Sequence, residues 1–177
     1  MTESTKARTA GPPIPESQSP DRDYPQMVGE RGLIEPAPRR VRGYSDGTLV
    51  FDTTRAHYVW EIAYYPQYYV PLADVRPDVL VPEGYRQHSP RGDIVLHGLK
   101  VGDAARPHAA KVLADSPIDG LSATARFEWA ALDAWYEEDE QVFVHPRNPY
   151  VRVDALRSTR PSRLSAAGCA TSWWRWA

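Results

Sequence analysis

The sequence is short of cysteine, of long apolar runs and of excess charge of one sign. Its single cysteine, Cys169, excludes an internal disulfide and any zinc site built on several cysteines. No apolar run approaches the roughly 18–20 residues that a membrane-spanning helix needs. With 21 basic and 23 acidic residues the formal charge is −2, which gives no general attraction to nucleic acid or to an anionic membrane. We therefore expect neither nucleic acid nor membrane as a partner.

The start of the chain lacks the features of a secretory signal. The first eight residues are followed by prolines, whereas a signal peptide would continue into an apolar segment. The sequence therefore favours a cytoplasmic location.

The sequence also lacks the common catalytic motifs. It contains no Gly-rich phosphate loop, no dinucleotide fingerprint, no H-E-x-x-H and no G-x-S-x-G. Its five histidines form no i, i+4 pair, and the D-x-D at Asp21–Asp23 lies in a proline-rich stretch. We expect no metal site and no cofactor. The sequence leaves open whether the protein is an enzyme.

Proline is abundant, with 17 residues, of which seven lie in the first 38 positions. That segment has almost no apolar periodicity and cannot bury enough surface to offset the entropy of ordering it. The sequence predicts three parts: a disordered proline-rich arm over residues 1–38, a β domain over residues 39–157, and an aberrant tail over residues 158–177.

Beyond the arm, apolar and polar residues alternate with period two, which is typical of strands. Residues 40–44 and 48–52 predict a hairpin around the turn at Ser45–Gly47. Further extended segments are predicted at 56–61, 67–70, 93–97 and 125–129, and short helical turns at 72–75 and 132–136. The acidic run Glu137–Glu140 is interpreted as a solvated turn or helix end. The predicted fold class is mainly β, a small domain of short antiparallel strands with one or two helical turns.

Large aromatic residues are concentrated between positions 58 and 69. The six are Tyr58, Trp60, Tyr64, Tyr65, Tyr68 and Tyr69. Such a cluster either builds a core, because each ring buries a large area, or forms the wall of a pocket with its polar tips turned inward.

The polar neighbours of this cluster supply a candidate ligand site. The candidate residues are Arg42, Glu61, Tyr69, His88 and Arg91, with Trp60 and Tyr68 as walls. An arginine fork suits a carboxylate or phosphate, Glu61 could orient that fork or act as a base, and His88 titrates near neutral pH. Because successive strand residues point to opposite faces, Glu61 and Tyr69 are the favoured polar contacts.

These residues also have structural interpretations. Glu61 could pair with Arg40 or Arg55 at the surface, and His88 could be an ordinary loop histidine. Two function classes therefore stay open: a small-molecule binding domain for an oxygen-rich or anionic ligand, and a non-catalytic structural or protein-interaction module.

Several segments, in order along the chain, carry a resemblance to a known family. They are Asp52–Ala56, Trp60–Glu61, Tyr65–Val75, His88–Gly92, Asp133–Glu140 and His145–Tyr150. Together they resemble the bacterial domain of unknown function 427 family, which has been loosely labelled as nucleotidyltransferase. The resemblance implies a compact β-tent-like domain without zinc and implies no reaction. Ser89 stands where that family commonly has cysteine, and the Gly-Ser loop and paired carboxylates that nucleotidyl transfer needs are missing.

The tail raises a separate hypothesis. In the resembling family, many members continue into a second copy of the domain after a segment similar to His145–Asp154, whereas this chain continues into a stretch that contains Trp173, Trp174 and Trp176. We interpret the tail as the frameshifted start of a lost second copy. The alternative is a short apolar tail that docks on the domain.

Overall fold

The computed structural model describes residues 31–63, 65–149 and 155–161. Most of the predicted arm and most of the predicted tail lie outside these residues, so the arm, the tail and the domain boundaries stay predictions.

The described residues form eleven strands. These are β1 (Ile34–Pro36), β2 (Val41–Ser45), β3 (Thr48–Thr53), β4 (His57–Val59), β5 (Gln67–Pro71), β6 (Leu80–Ser89), β7 (Gly92–Val101), β8 (Ala104–Leu113), β9 (Thr124–Phe127), β10 (Ala134–Glu137) and β11 (Glu140–Val142). They build two antiparallel sheets, one of seven strands in the order β1-β4-β5-β9-β8-β7-β6 and one of four in the order β11-β10-β2-β3. The mainly β prediction is confirmed.

Two short 3₁₀ turns lie at Leu72–Asp74 and Trp129–Ala131. The first agrees with the helical turn predicted at 72–75. The second prediction, a helical turn over 132–136, is wrong, because that segment enters β10. There Trp135 is buried between two half-buried neighbours, and β10 pairs with β2. Pairing with a strand distant in sequence overrides the local i, i+3, i+4 spacing.

The hairpin of β2 and β3 forms where the alternation predicts it. Asp46 and Gly47 both have positive φ, as a two-residue hairpin turn requires. A β-bulge between Gly43 and Tyr44 shifts the register within the hairpin.

The main core lies between the two sheets and contains three of the six residues of the predicted aromatic cluster, Tyr58, Trp60 and Tyr68. Trp60 is 0 % exposed and Tyr68 is 3 % exposed, and both belong to this core. Tyr68 stacks on Tyr58 with ring centroids 5.4 Å apart, and Trp135 stacks on Trp129 at 4.6 Å. For Trp60 and Tyr68 the core interpretation is therefore correct.

A smaller apolar cluster lies on the opposite face of the seven-stranded sheet. Its buried members are Val59, Tyr69, Ile94, Leu113 and Leu121. Strand alternation explains the division, since Tyr58 and Tyr68 enter the main core while their neighbours Val59 and Tyr69 face the other way.

Strand β1 lies inside the range that the sequence assigned to the arm. It pairs with β4, and Ala37 after it is 4 % exposed. Such a short strand carries too little pattern to be recognised in a proline-rich context. Among the described residues, no helix is long and apolar enough to cross a membrane.

Candidate functional site

Glu61 and Tyr69 meet on the outer face of the seven-stranded sheet. The Tyr69 hydroxyl, from β5, donates a hydrogen bond of 2.6 Å to Glu61 Oε1, just after β4. Burial and, after it, the Glu61 carboxylate raise the pKa of Tyr69 well above the usual 10, so the phenol keeps its proton and donates. This placement agrees with the strand alternation that favoured these two residues.

Arg91 reaches the same carboxylate from the turn between β6 and β7. Its Nη2 lies 3.8 Å from Glu61 Oε1, which is too far for a hydrogen bond. The turn is held by Ser89 Oγ, which accepts from the Arg91 backbone N–H at 3.2 Å, and by Ser116 Oγ, which donates to the Arg91 carbonyl oxygen at 2.5 Å. The backbone that carries this guanidinium is therefore fixed on both sides.

Arg126, on β9, is the member of the site that sequence reasoning missed. Its Nε lies 3.5 Å from Glu61 Oε1, and its Nη1 donates to Glu128 Oε1. Lys111 Nζ lies 3.7 Å from the same Glu128 oxygen. A signal was available in the sequence, since Arg126 stands between buried Ala125 and Phe127 in a predicted strand and must face away from the core.

Together, Glu61, Tyr69, Arg91 and Arg126 form what we call the Glu61 cluster. Arg91 and Arg126 contribute two positive charges and Glu61 one negative charge, and the adjacent Lys111–Glu128 pair adds one of each sign. The cluster therefore carries an excess of one positive charge.

The guanidinium groups of the Glu61 cluster are mostly buried and incompletely bonded. The side chains of Arg91 and Arg126 are 20 % and 12 % exposed, and the Nε atoms of both are buried without a hydrogen-bond partner. The contact of the Arg91 guanidinium with Glu61 Oε1, 3.8 Å from Nη2, is an ion pair beyond hydrogen-bond distance. Buried donors of this kind are rare in folded proteins and call for an explanation.

Four of the seven predicted site residues lie elsewhere. The side chains of Trp60 and Tyr68 are in the core between the sheets, so they do not form walls for the Glu61 cluster. Arg42 lies on the outer face of the four-stranded sheet, where its Nη2 donates to the Glu138 carbonyl oxygen at 2.6 Å. His88 is on β6, its side chain is 86 % exposed, and its Nδ1 lies 2.7 Å from Asp93 Oδ1.

A cleft of about 580 Å³ lies away from the Glu61 cluster, where residues 155–161 cross the tip of the β10–β11 hairpin. The Glu138 carboxylate in this cleft accepts hydrogen bonds from the Arg160 guanidinium, the Ser158 hydroxyl and the Arg40 backbone N–H. Because these partners already satisfy Glu138, the cleft offers a ligand less unmet hydrogen-bonding capacity than the Glu61 cluster does.

The described residues contain no group of three or more His, Cys, Asp or Glu side chains placed to hold a metal ion.

Comparison with known proteins gives a family for the chain. The family model described as Domain of unknown function (DUF427), labelled NTP_transf_9, matches residues 33–138. A search of curated proteins finds no match. The matched range runs from just before β1 into β10 and the acidic turn after it, so it includes every residue of the Glu61 cluster. Since the match covers more than half of the 177 residues and confirms the resemblance seen in the motifs, the chain belongs to the DUF427 family.

Proposed function

We propose that the Glu61 cluster binds a small molecule through an anionic group, a carboxylate or a phosphate. The observation that carries this proposal is the Arg91 guanidinium: its side chain is four-fifths buried, and its Nη2 lies beyond hydrogen-bond distance of Glu61 Oε1. An anion that accepts from the outer nitrogens of this guanidinium would supply the charge-assisted hydrogen bond that Glu61 does not make. The planar fork of arginine matches the two oxygens of a carboxylate or phosphate.

The charge of the site supports the same ligand class. Glu61 neutralises only one of the two arginines that approach it, and the positive charge that remains favours an anionic group on the ligand. Nucleotidyl transfer is a weaker proposal, because it needs paired carboxylates that hold metal ions, and here one carboxylate faces two cations.

The test is ligand binding by the full chain and by an Arg91→Gln variant. Thermal shift and calorimetry at constant ionic strength would use inorganic phosphate, propionate and L-alanine as probes. At least one probe should stabilise the wild-type protein and should lose most of its effect in Arg91→Gln. Arg55→Gln is the matched control, because Arg55 is a mostly exposed arginine paired with Asp74 at a distant site.

Two results would contradict the proposal. In one, no probe shifts the melting temperature of the wild-type protein. In the other, Arg91→Gln folds and binds the probes as the wild type does. Either result would make the cluster a structural ion-pair group and would favour the alternative function, a non-catalytic structural or protein-interaction module.

A further inference from the structure

Oε1 is the Glu61 oxygen that lies closest to each of three partners. Oε1 accepts from the Tyr69 hydroxyl and is the oxygen nearest to both Arg91 and Arg126. No hydrogen bond to Oε2 is present within the described residues, and Oε2 is not among the buried polar atoms that lack a partner. Glu61 Oε2 can therefore accept a further hydrogen bond, and it lies beside two guanidinium groups that can donate further ones.

The guanidinium donors and the Glu61 carboxylate lie close together. Arg91 Nη2 is 3.8 Å from the Glu61 carboxylate, and Arg126 Nε is 3.5 Å from it. A simple anion would satisfy the guanidinium groups and leave the carboxylate oxygen without a donor. A ligand with an adjacent positive donor would satisfy both, because a carboxylate accepts most strongly from a charged N–H group.

We propose that the ligand of the Glu61 cluster is an α-amino acid or a molecule that ends in an α-amino carboxylate. Its carboxylate binds the Arg91 and Arg126 guanidinium groups, and its ammonium donates to Glu61 Oε2. Because both guanidinium groups lie within 4 Å of the Glu61 carboxylate, the ammonium and the carboxylate of the ligand must lie close together, as they do in the α arrangement, where one carbon separates them. The inference rests on the proposed function, since it assigns a ligand class to the same anion site.

Tyr69 is the positioning residue in this arrangement. Its hydroxyl holds Oε1, so the Glu61 carboxylate is oriented before a ligand arrives and loses less side-chain freedom on binding. The burial that keeps Tyr69 protonated keeps this orientation constant throughout the neutral pH range.

The test compares three probes of similar size on the wild-type protein by calorimetry or by NMR titration. Propionate has the carboxylate alone, β-alanine has the ammonium one carbon further away, and L-alanine has the α arrangement. L-Alanine should bind at least about tenfold more tightly than propionate or β-alanine, because an unpaired Glu61 acceptor is penalised with either of the other two. In Glu61→Gln the preference for L-alanine over propionate should fall to about one, while propionate binds at least as well as before. Glu140→Gln, which removes a carboxylate that pairs with Arg157, should keep the wild-type preference.

The outcomes separate this inference from the proposed function. If propionate or phosphate binds in an Arg91-dependent way and L-alanine binds no better than propionate, the anion site stands and the amino acid ligand is wrong. If no probe binds, both are wrong. The comparison of probes on the wild-type protein tests the amino acid ligand even if Glu61→Gln fails to fold.

Discussion

At the scale of single residues, the sheets are joined by a buried polar network as well as by apolar contacts. The Tyr68 hydroxyl donates to the Glu137 carboxylate, which is 2 % exposed and also accepts from the Arg39 guanidinium. Burial, followed by the neighbouring Tyr58 and Glu137, raises the pKa of Tyr68, so its hydroxyl remains a donor. A buried carboxylate is tolerated only when such partners satisfy it, and these two partners come from parts of the chain that are distant from Glu137.

The first prediction concerns this network. Tyr68→Phe should lower the free energy of unfolding by about 1–3 kcal/mol, because it removes the hydrogen bond that the Tyr68 hydroxyl donates to the buried Glu137 carboxylate. Urea denaturation followed by fluorescence gives the change. Tyr85→Phe is the control, since Tyr85 is 58 % exposed, and it should leave stability unchanged. Equal changes in the free energy of unfolding for the two substitutions would show that the Tyr68 hydroxyl does not contribute to stability.

At the scale of secondary-structure elements, the β6–β7 turn decides whether the Glu61 cluster can form. Gly92, directly after Arg91, has a φ of +120°, a conformation that side chains disfavour. A Cβ at Gly92 would lie 2.4 Å from the Asp115 carbonyl oxygen, so this turn packs backbone against backbone on the loop after β8. The position of Arg91 therefore depends on a glycine that is not itself a member of the Glu61 cluster.

The second prediction follows from this close approach. Gly92→Ala should destabilise the protein by about 2 kcal/mol or more and should weaken anion binding, because the turn must move away from the Asp115 backbone. Gly47→Ala is the matched comparison, since Gly47 also has positive φ but has open space around its Cβ position. It should cost only about 1 kcal/mol and leave binding unchanged. Equal losses of stability and binding in both variants would contradict the proposed role of the turn.

At the scale of the whole molecule, carboxylates fix the last described segment to the domain. The acidic run was interpreted as solvated, yet Glu137 and Glu138 are buried. Burial alone would raise the pKa of Glu138, but hydrogen bonds from Arg160, the Arg40 backbone N–H and Ser158 lower it to about 2.

The third prediction is the pH dependence of stability. The folded-state pKa of Glu138 lies below its ordinary value of 4.5, so its contribution to stability is complete above that value and is lost as the pH falls towards 2. Asp52, hydrogen-bonded to Arg40, and Asp74, hydrogen-bonded to Arg55, also have lowered pKa values and act in the same direction. The free energy of unfolding should therefore decrease from about pH 4.5 downwards, by on the order of 1–3 kcal/mol for Glu138.

Equilibrium unfolding measured at several pH values checks this dependence. Glu138→Gln should be less stable at pH 7 and should lose less stability between pH 4.5 and pH 2 than the wild type. Glu140→Gln is the control, because the partner of Glu140, Arg157, is 87 % exposed and a surface ion pair contributes little. A Glu138→Gln protein with the acid profile of the wild type would contradict the assigned role.

The sequence alone determined the strands whose pattern is local. Alternation and turn chemistry were enough to predict the β2–β3 hairpin, β5 and β9. The same alternation assigned Tyr68 and Tyr69 to opposite faces of the sheet and Glu61 to the face of Tyr69.

The tertiary structure alone decided the other features of the site and the core. Arg126 joins Glu61 only because β9 lies beside β5 in the sheet, and Arg42 is held away because β2 belongs to the other sheet. Glu137 is buried because Tyr68 and Arg39 reach it from distant parts of the chain. The physical reason is that side-chain direction follows from backbone geometry over two or three residues, whereas burial and partners depend on which distant strands pair.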